Sequence, residues 1–167
     1  GINEVEIQSI LANYEFPLCF PKHVEKEAER IPIEISVDEI KKRKDFRDTF
    51  TFTCDPADAK DFDDALSLKK LKNGNWEVGV HIADVSHFVR KGSELDAAAR
   101  ERGTSVYLPG RCVPMLPERV SSDLCTLAEG EDRLAYTVRF VVARDGAIRR
   151  AEASPSVIRS RRRCTYA

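Results

Sequence analysis

The sequence predicts an α+β fold: a mixed, mainly antiparallel sheet with helices packed against it. Three observations carry that expectation. Apolar residues alternate through Trp76, Val78, Val80 and Ile82, and again through Leu134, Tyr136, Val138, Phe140 and Val142, with the two-residue period of strands. Asn73-Gly74 and Asp145-Gly146 follow or precede such runs and are the residue pairs that tight hairpins need, so consecutive strands should run antiparallel. Apolar stripes at helical spacing occupy residues 1–50 and recur after Ser93.

In chain order, Ile7, Ile10, Leu11 and Tyr14 lie three and four residues apart, and Pro17 and Pro21 end that helix. Val24, Ala28 and Ile31 stripe a second helix, closed by Pro32. Ser36 and Glu39 have capping-box spacing and open a third, which carries the basic run Lys41 to Lys44. Residues 1–49 thus read as a helical lead-in whose stripes are core. Thr49 to Thr53 alternates, with Phe50 and Phe52 on one face. Leu66, Leu68 and Leu71 lead into the Asn73-Gly74 turn, and the strand from Trp76 returns, the pair being held by apolar side chains. His81 falls on the face opposite Trp76. A lone histidine there is more often a hydrogen-bonded core residue than a ligand, so His81 and the nearby Asp84 read as structural supports.

Ser93 and Asp96 open a helix with Leu95, Ala98 and Ala99 on its apolar side, and Gly103 closes it. Thr104 to Pro117 holds three prolines and a glycine around Tyr107 and reads as a rigid loop. An aromatic on such a loop is a candidate platform for a stacked base, or simply a side chain packed at the loop's root. Ser121 and Ser122 should cap a short helix containing Leu124, Cys125 and Leu127. Leu134 to Val142 and the return from Ala147 to Ala153 give the plainest strands.

Composition bounds the class. An apolar content of 42% with 33% charged residues is globular and sufficient for one core in 167 residues. No apolar run approaches the length of a membrane span, and no charged-then-apolar leader opens the chain, so neither membrane insertion nor secretion is expected. Cys19, Cys54, Cys112, Cys125 and Cys164 are odd in number and lack close pairs, which suits reduced thiols in a cytoplasmic protein. The net charge of −1 hides an asymmetry: residues 1–50 hold eight basic and eleven acidic side chains, residues 139–167 eight arginines and two acids. Arg159, Arg161, Arg162 and Arg163 read either as a basic track or as a solvated face.

The chemistry concentrates in Asp55 to Ala65, DPADAKDFDDA, where Asp55, Asp61, Asp63 and Asp64 crowd together with Asp58. Two carboxylates about 4 Å apart repel by about 4 kcal/mol at an effective dielectric near 20. Convergence therefore needs a cation or protons. Magnesium suits hard oxygen ligands, with manganese as a second choice. Pro56 and the alanines permit the required bend, and Phe62 looks like its anchor to the core. An acidic surface loop and a structural carboxylate network are the competing readings. A helix–loop–helix calcium loop fits poorly, because Leu66 and Lys72 stand where glycine and glutamate belong. The flanking strands favour a site, since binding sites form where sheet strands end.

DPADAKDFDDA, HIADVSHFV from His81, TSVYLPGRCVPMLP from Thr104 and SSDLCTL from Ser121 together resemble the RNB catalytic domain of the RNase II and RNase R exoribonucleases. The resemblance runs from about Phe50 to about Tyr166, the amino-terminal half of such a domain, so residues 50–167 are expected to form that half. It implies that residues 1–49 join upstream RNA-binding domains of oligonucleotide-binding fold. It also implies that Asp55, Asp61, Asp63 and Asp64 are catalytic, that Asp55, Asp61 and Asp64 hold metal in a site for two Mg2+ ions, and that Tyr107 clamps RNA near its 3′ end. The family uses an arginine and a second stacking aromatic from the later half of the domain. In the block from Ser156 to Tyr166, Arg162, Arg163 and Cys164 depart from the small or apolar residues expected. The implied activity is processive 3′-to-5′ hydrolysis of single-stranded RNA to 5′-nucleoside monophosphates, with this chain as a fragment of the full enzyme. A non-catalytic RNA-binding or assembly module that keeps the acidic loop for stability is the alternative, and a phosphatase of small phosphate esters is a third class.

Overall fold

The computed structural model describes residues 4–14, 16–108 and 111–166, with backbone alone for residues 4–8 and 111. Three helices come first: α1 (Glu4–Asn13), α2 (Lys22–Glu29) and α3 (Val37–Lys41). They are followed by β1 (Lys44–Asp45), β2 (Thr51–Asp55), β3 (Asp64–Lys70), β4 (Trp76–Ala83), α4 (Val85–Phe88) and α5 (Glu94–Arg102). A small hairpin, β5 (Val106–Leu108) with β6 (Arg111–Val113), and α6 (Arg119–Leu124), wound as a π-helix, lead to β7 (Asp132–Val142), β8 (Ile148–Arg159) and β9 (Arg162–Thr165). Seven strands form one sheet in the order β1-β8-β7-β4-β3-β2-β9. Its central pairs are antiparallel, and only the edge pairs β1–β8 and β2–β9 are parallel, which is the mixed α+β sheet expected.

Local chemistry explains several boundaries. The Ser36 hydroxyl accepts from the Glu39 N–H at the start of α3, although Glu39 turns to Arg43 rather than completing a capping box. The Ser93 hydroxyl accepts from the Asp96 N–H, and Gly103 ends α5 in the left-handed conformation at φ 74°. At the β3–β4 turn Gly74 has φ 83°, and the Asn73 side chain accepts from the Asn75 N–H. Three local expectations change. The segment around Tyr107 is a two-stranded hairpin rather than an irregular loop. Ser121 and Ser122 lie inside α6 instead of capping it, because the turn starts after Glu118. The last return strand continues to Arg159, since it pairs with β7 as far as Asp132, with β1 beside it at Ser156 and Val157.

The core lies on one face of the sheet. Val24 and Ala28 of α2, Leu95, Ala98 and Ala99 of α5, and Val120 and Leu124 of α6 pack with Ala65, Ala83, Ala135 and Ile158. Leu11 of α1 joins a second small cluster with Val113, while Ile10 and Tyr14 face solvent; the Ile7 side chain lies outside the described residues. The sheet meets this side with small and polar residues. His81 is fully buried, with Nε2 2.9 Å from the Ser67 hydroxyl and Nδ1 2.7 Å from that of Thr137. Burial lowers its pKa to about 4, so the ring is neutral near pH 7. Asp84 pairs with Arg43 at 2.7 Å and accepts from Ser86. Both residues serve as supports.

The apolar alternation of β4 lies on the other side. Leu66, Leu68, Trp76, Ile82 and Tyr136 are all more than a third exposed there, with Phe50 at 55%. The hairpin is therefore held from its polar face, and its apolar face stays open. Among the described residues no helix is long and apolar enough to cross a membrane. All five cysteines are unpaired.

Candidate active site

The aspartates gather at one end of the sheet because β2 and β3 run antiparallel. β2 ends on Asp55, β3 begins on Asp64, and residues 56–63 bridge them, at the end of β3 away from the Asn73-Gly74 turn. Phe62 anchors the bridge as the sequence suggested. Its ring packs against the core, its N–H donates to the Thr126 hydroxyl at 2.9 Å, and its carbonyl accepts from the Leu127 N–H at 2.9 Å. The Asp61 carboxylate accepts from the Ser122 hydroxyl at 2.6 Å. Sequence reasoning gave Ser122 a capping role and missed this contact.

A cleft of about 630 Å³ opens beside the acids, within the range of small-molecule sites. Asp55 and Asp61 line it together with Tyr107, Cys112, Glu118 and Ser122. Tyr107 stands on β5 opposite Cys112 and is 75% exposed, so its ring is free to stack; Pro109 and Gly110, next to it, lie outside the described residues. Asp63 and Asp64 are exposed at the start of β3 and are not part of the cleft wall. The structure thus brings Asp55, Asp61 and Tyr107 to one cleft and leaves Asp63 and Asp64 at its border. Among the described residues no three His, Cys, Asp or Glu side chains converge into a ready-made metal cage.

The electrostatics carry the tension expected of crowded acids. Burial, then Asp64, and then Asp63 against the opposing Arg163 guanidinium, raise the Asp55 carboxyl above its ordinary value. Burial of its carboxyl, followed by Asp61 and Asp64, raises Asp63, although the residue as a whole keeps contact with solvent. Asp55 Oδ2 is buried and has no hydrogen-bond partner. A buried, unpaired carboxylate oxygen beside other acids is costly alone and suits a hard cation, so the residues present fit a magnesium ion.

The arginine tail is largely solvent-exposed at Arg161, Arg162 and Arg163, and three of its arginines also make defined contacts. Arg159 pairs with Asp132 at 2.7 Å, Arg161 donates to the Arg47 carbonyl, and Arg163 reaches the carbonyls of the acidic loop.

The sequence of residues 43–167 matches the RNB domain model. The chain belongs to the RNB family. Ribonuclease R of Thermotoga maritima is 47% identical over 164 residues, which is 97% of this chain and 23% of that protein. RNase R of Mycoplasma genitalium in complex with double-stranded RNA superimposes with a TM-score of 0.91 at 32% identity, over 97% of this chain and 29% of the other. Yeast Ssd1, a pseudonuclease, shares the fold with a TM-score of 0.84 at 23% identity, over 97% of this chain and 21% of that one. This RNB chain therefore spans about a quarter of the length of the relatives it matches.

Proposed function

We propose that this RNB chain forms the acidic half of the active site of a metal-dependent exoribonuclease. Acting within a longer cytoplasmic enzyme, it removes nucleotides processively from the 3′ end of single-stranded RNA and releases 5′-nucleoside monophosphates. The observation that carries the reading is the single cleft shared by Asp55, whose Oδ2 is buried and unpaired, by Asp61 and by the exposed ring of Tyr107. The RNA complexes of the Mycoplasma genitalium enzyme, with double-stranded and with ribose-methylated single-stranded RNA, support the substrate class.

Asp55, Asp61 and Asp64 would hold two Mg2+ ions, or Mn2+ in their place, directly or through water. When bound, such ions lower the pKa of a coordinated water and stabilise the leaving 3′-oxygen. Ser122 orients Asp61 by donating to one of its carboxylate oxygens. Tyr107 supplies a π-face for a base near the 3′ end, and Asp63 contacts the terminal ribose or a water. The arginine and second aromatic of the remaining RNB half, and the oligonucleotide-binding-fold domains, would complete the site and feed the strand. The open apolar sheet face of Phe50, Leu68, Ile82 and Tyr136 is a natural seat for that remaining half.

Asp64→Asn in the full-length enzyme should leave the thermal midpoint near wild type and abolish turnover of a 3′-labelled oligonucleotide. Near-normal hydrolysis would remove the metal assignment. The second reading, a non-catalytic RNA-binding or assembly module, draws on the absence of a preformed three-ligand cage among the described residues. For that module, magnesium should leave RNA turnover at zero at every concentration.

A further inference from the structure

We propose that Arg163 is a positioning residue of the acidic site, clasping the loop between β2 and β3 so that Asp55 and Asp61 are held to one cleft. The inference rests on the exoribonuclease reading. Arg163 Nη2 donates to the Ala57 carbonyl at 2.8 Å and to the Ala59 carbonyl at 3.2 Å. Its guanidinium carbon lies 4.7 Å from the centroid of the Phe62 ring, the anchor of the same loop. One side chain thus grips the loop at three points between Asp55 and Asp63.

The grip itself is fixed. β9 runs parallel to β2 with Arg163 opposite Thr53 and Thr165 opposite Asp55. The Arg163 N–H donates to Glu129 Oε2 at 2.8 Å. Glu129 follows closely on Thr126 and Leu127, which hold the Phe62 backbone. The segment 126–129 therefore ties the acidic loop and its clasp to one frame. A planar guanidinium can stack on Phe62 while donating to both carbonyls, whereas an ammonium is a compact point charge that cannot do both.

The test compares Arg163→Met and Arg163→Lys in the full-length enzyme by three measurements: amide hydrogen exchange at residues 57–60 without metal, Mn2+ binding by electron paramagnetic resonance, and RNA hydrolysis against Mg2+ concentration with KM and kcat separated. Both variants should exchange faster at residues 57–60 and bind Mn2+ about 10–100-fold more weakly, the usual effect of losing a group that orients metal ligands. They should need correspondingly more Mg2+ for half-maximal kcat, with KM for RNA and the thermal midpoint unchanged. Wild-type exchange at residues 57–60 in Arg163→Met overturns the clasp. Full recovery of exchange and Mn2+ affinity in Arg163→Lys overturns it as well, because charge alone would then suffice. Should the wild-type enzyme hydrolyse RNA without any divalent ion, the metal reading falls, and the exchange measurement still decides the clasp.

Discussion

Tyr107→Ala offers a clean separation of binding from folding. The ring is 75% exposed, and Tyr107 is held in its hairpin by backbone pairing with Cys112, which alanine preserves. The change should therefore alter stability by no more than about 0.5 kcal/mol, as for other surface positions. Stacking of an aromatic on a base is worth about 1–3 kcal/mol. At 1.4 kcal/mol per decade, losing it weakens RNA binding by roughly 5- to 140-fold. The measurement is fluorescence anisotropy with a labelled single-stranded oligonucleotide, in the full-length enzyme carrying Asp64→Asn so that the ligand survives. Tyr107→Phe, which keeps the π-face, should bind like the parent. If Tyr107 holds the strand as proposed, Tyr107→Ala in the active enzyme should also change the length of the final product. Unchanged affinity and product length, in a variant with an unchanged thermal midpoint, would show that Tyr107 takes no part in binding.

Ser122→Ala removes the hydroxyl that donates to Asp61 at 2.6 Å; half-saturating Mg2+ should rise by about 10–100-fold with little change in KM for RNA, and a wild-type magnesium titration would exclude this role. Gly79→Ala would place a Cβ 2.4 Å from the Ser67 hydroxyl and 2.8 Å from His81 Nε2, so urea unfolding should show a loss of about 1–3 kcal/mol from overpacking of the His81 cluster. Arg43→Met leaves Asp84 without its buried partner and should cost about 3–5 kcal/mol near pH 7. In Asp84, burial pushes the carboxyl up, but the Ser86 hydroxyl and Arg43 outweigh it and hold it below 3.8; the Arg43 hydrogen bond likewise holds Glu39 below 4.5. Groups with depressed folded values contribute stability above their unfolded values and lose it as pH falls through the folded ones. The difference between wild type and Arg43→Met, followed by urea unfolding from pH 7 downward, should thus stay constant to about pH 5 and shrink below pH 4. A constant difference down to pH 2 would refute the ion-pair account.

Much of the secondary structure was legible because its causes are local. Ser93 and Gly103 bracket α5 through bonds and a left-handed turn that involve residues three or four apart, and Asn73-Gly74 sets the β3–β4 turn within its own backbone. Phe62 could be named as an anchor because an aromatic between two acids has no favourable place in water. Other features depended on partners that no local pattern names. Alternation in β4 predicted a strand correctly, but the expectation that its apolar side chains hold the hairpin was wrong; the helices chose the side of His81 and Ser67, and Trp76 and Ile82 were left outward. Ser122 looked like a cap because serine near a short helix usually is one, whereas its bond to Asp61 spans 61 residues and no local pattern names it.

The linear chain by itself determined that five acids stand within ten residues between two strands, and that carboxylates converging there need a cation or protons, whereas carboxylates left in water do not. It also determined the two-residue and helical periods from which the α+β class follows. Tertiary structure decided which acids share a cleft with Tyr107 and what holds them. β9 pairs with β2 across more than a hundred residues, and that register carries Arg163 to the carbonyls of Ala57 and Ala59. Periodicity is set by sterics and hydrogen bonds between near neighbours, so it can be read along the chain. Pairing between distant strands is chosen by the whole sheet closing over one core, and it appears only when the chain has folded.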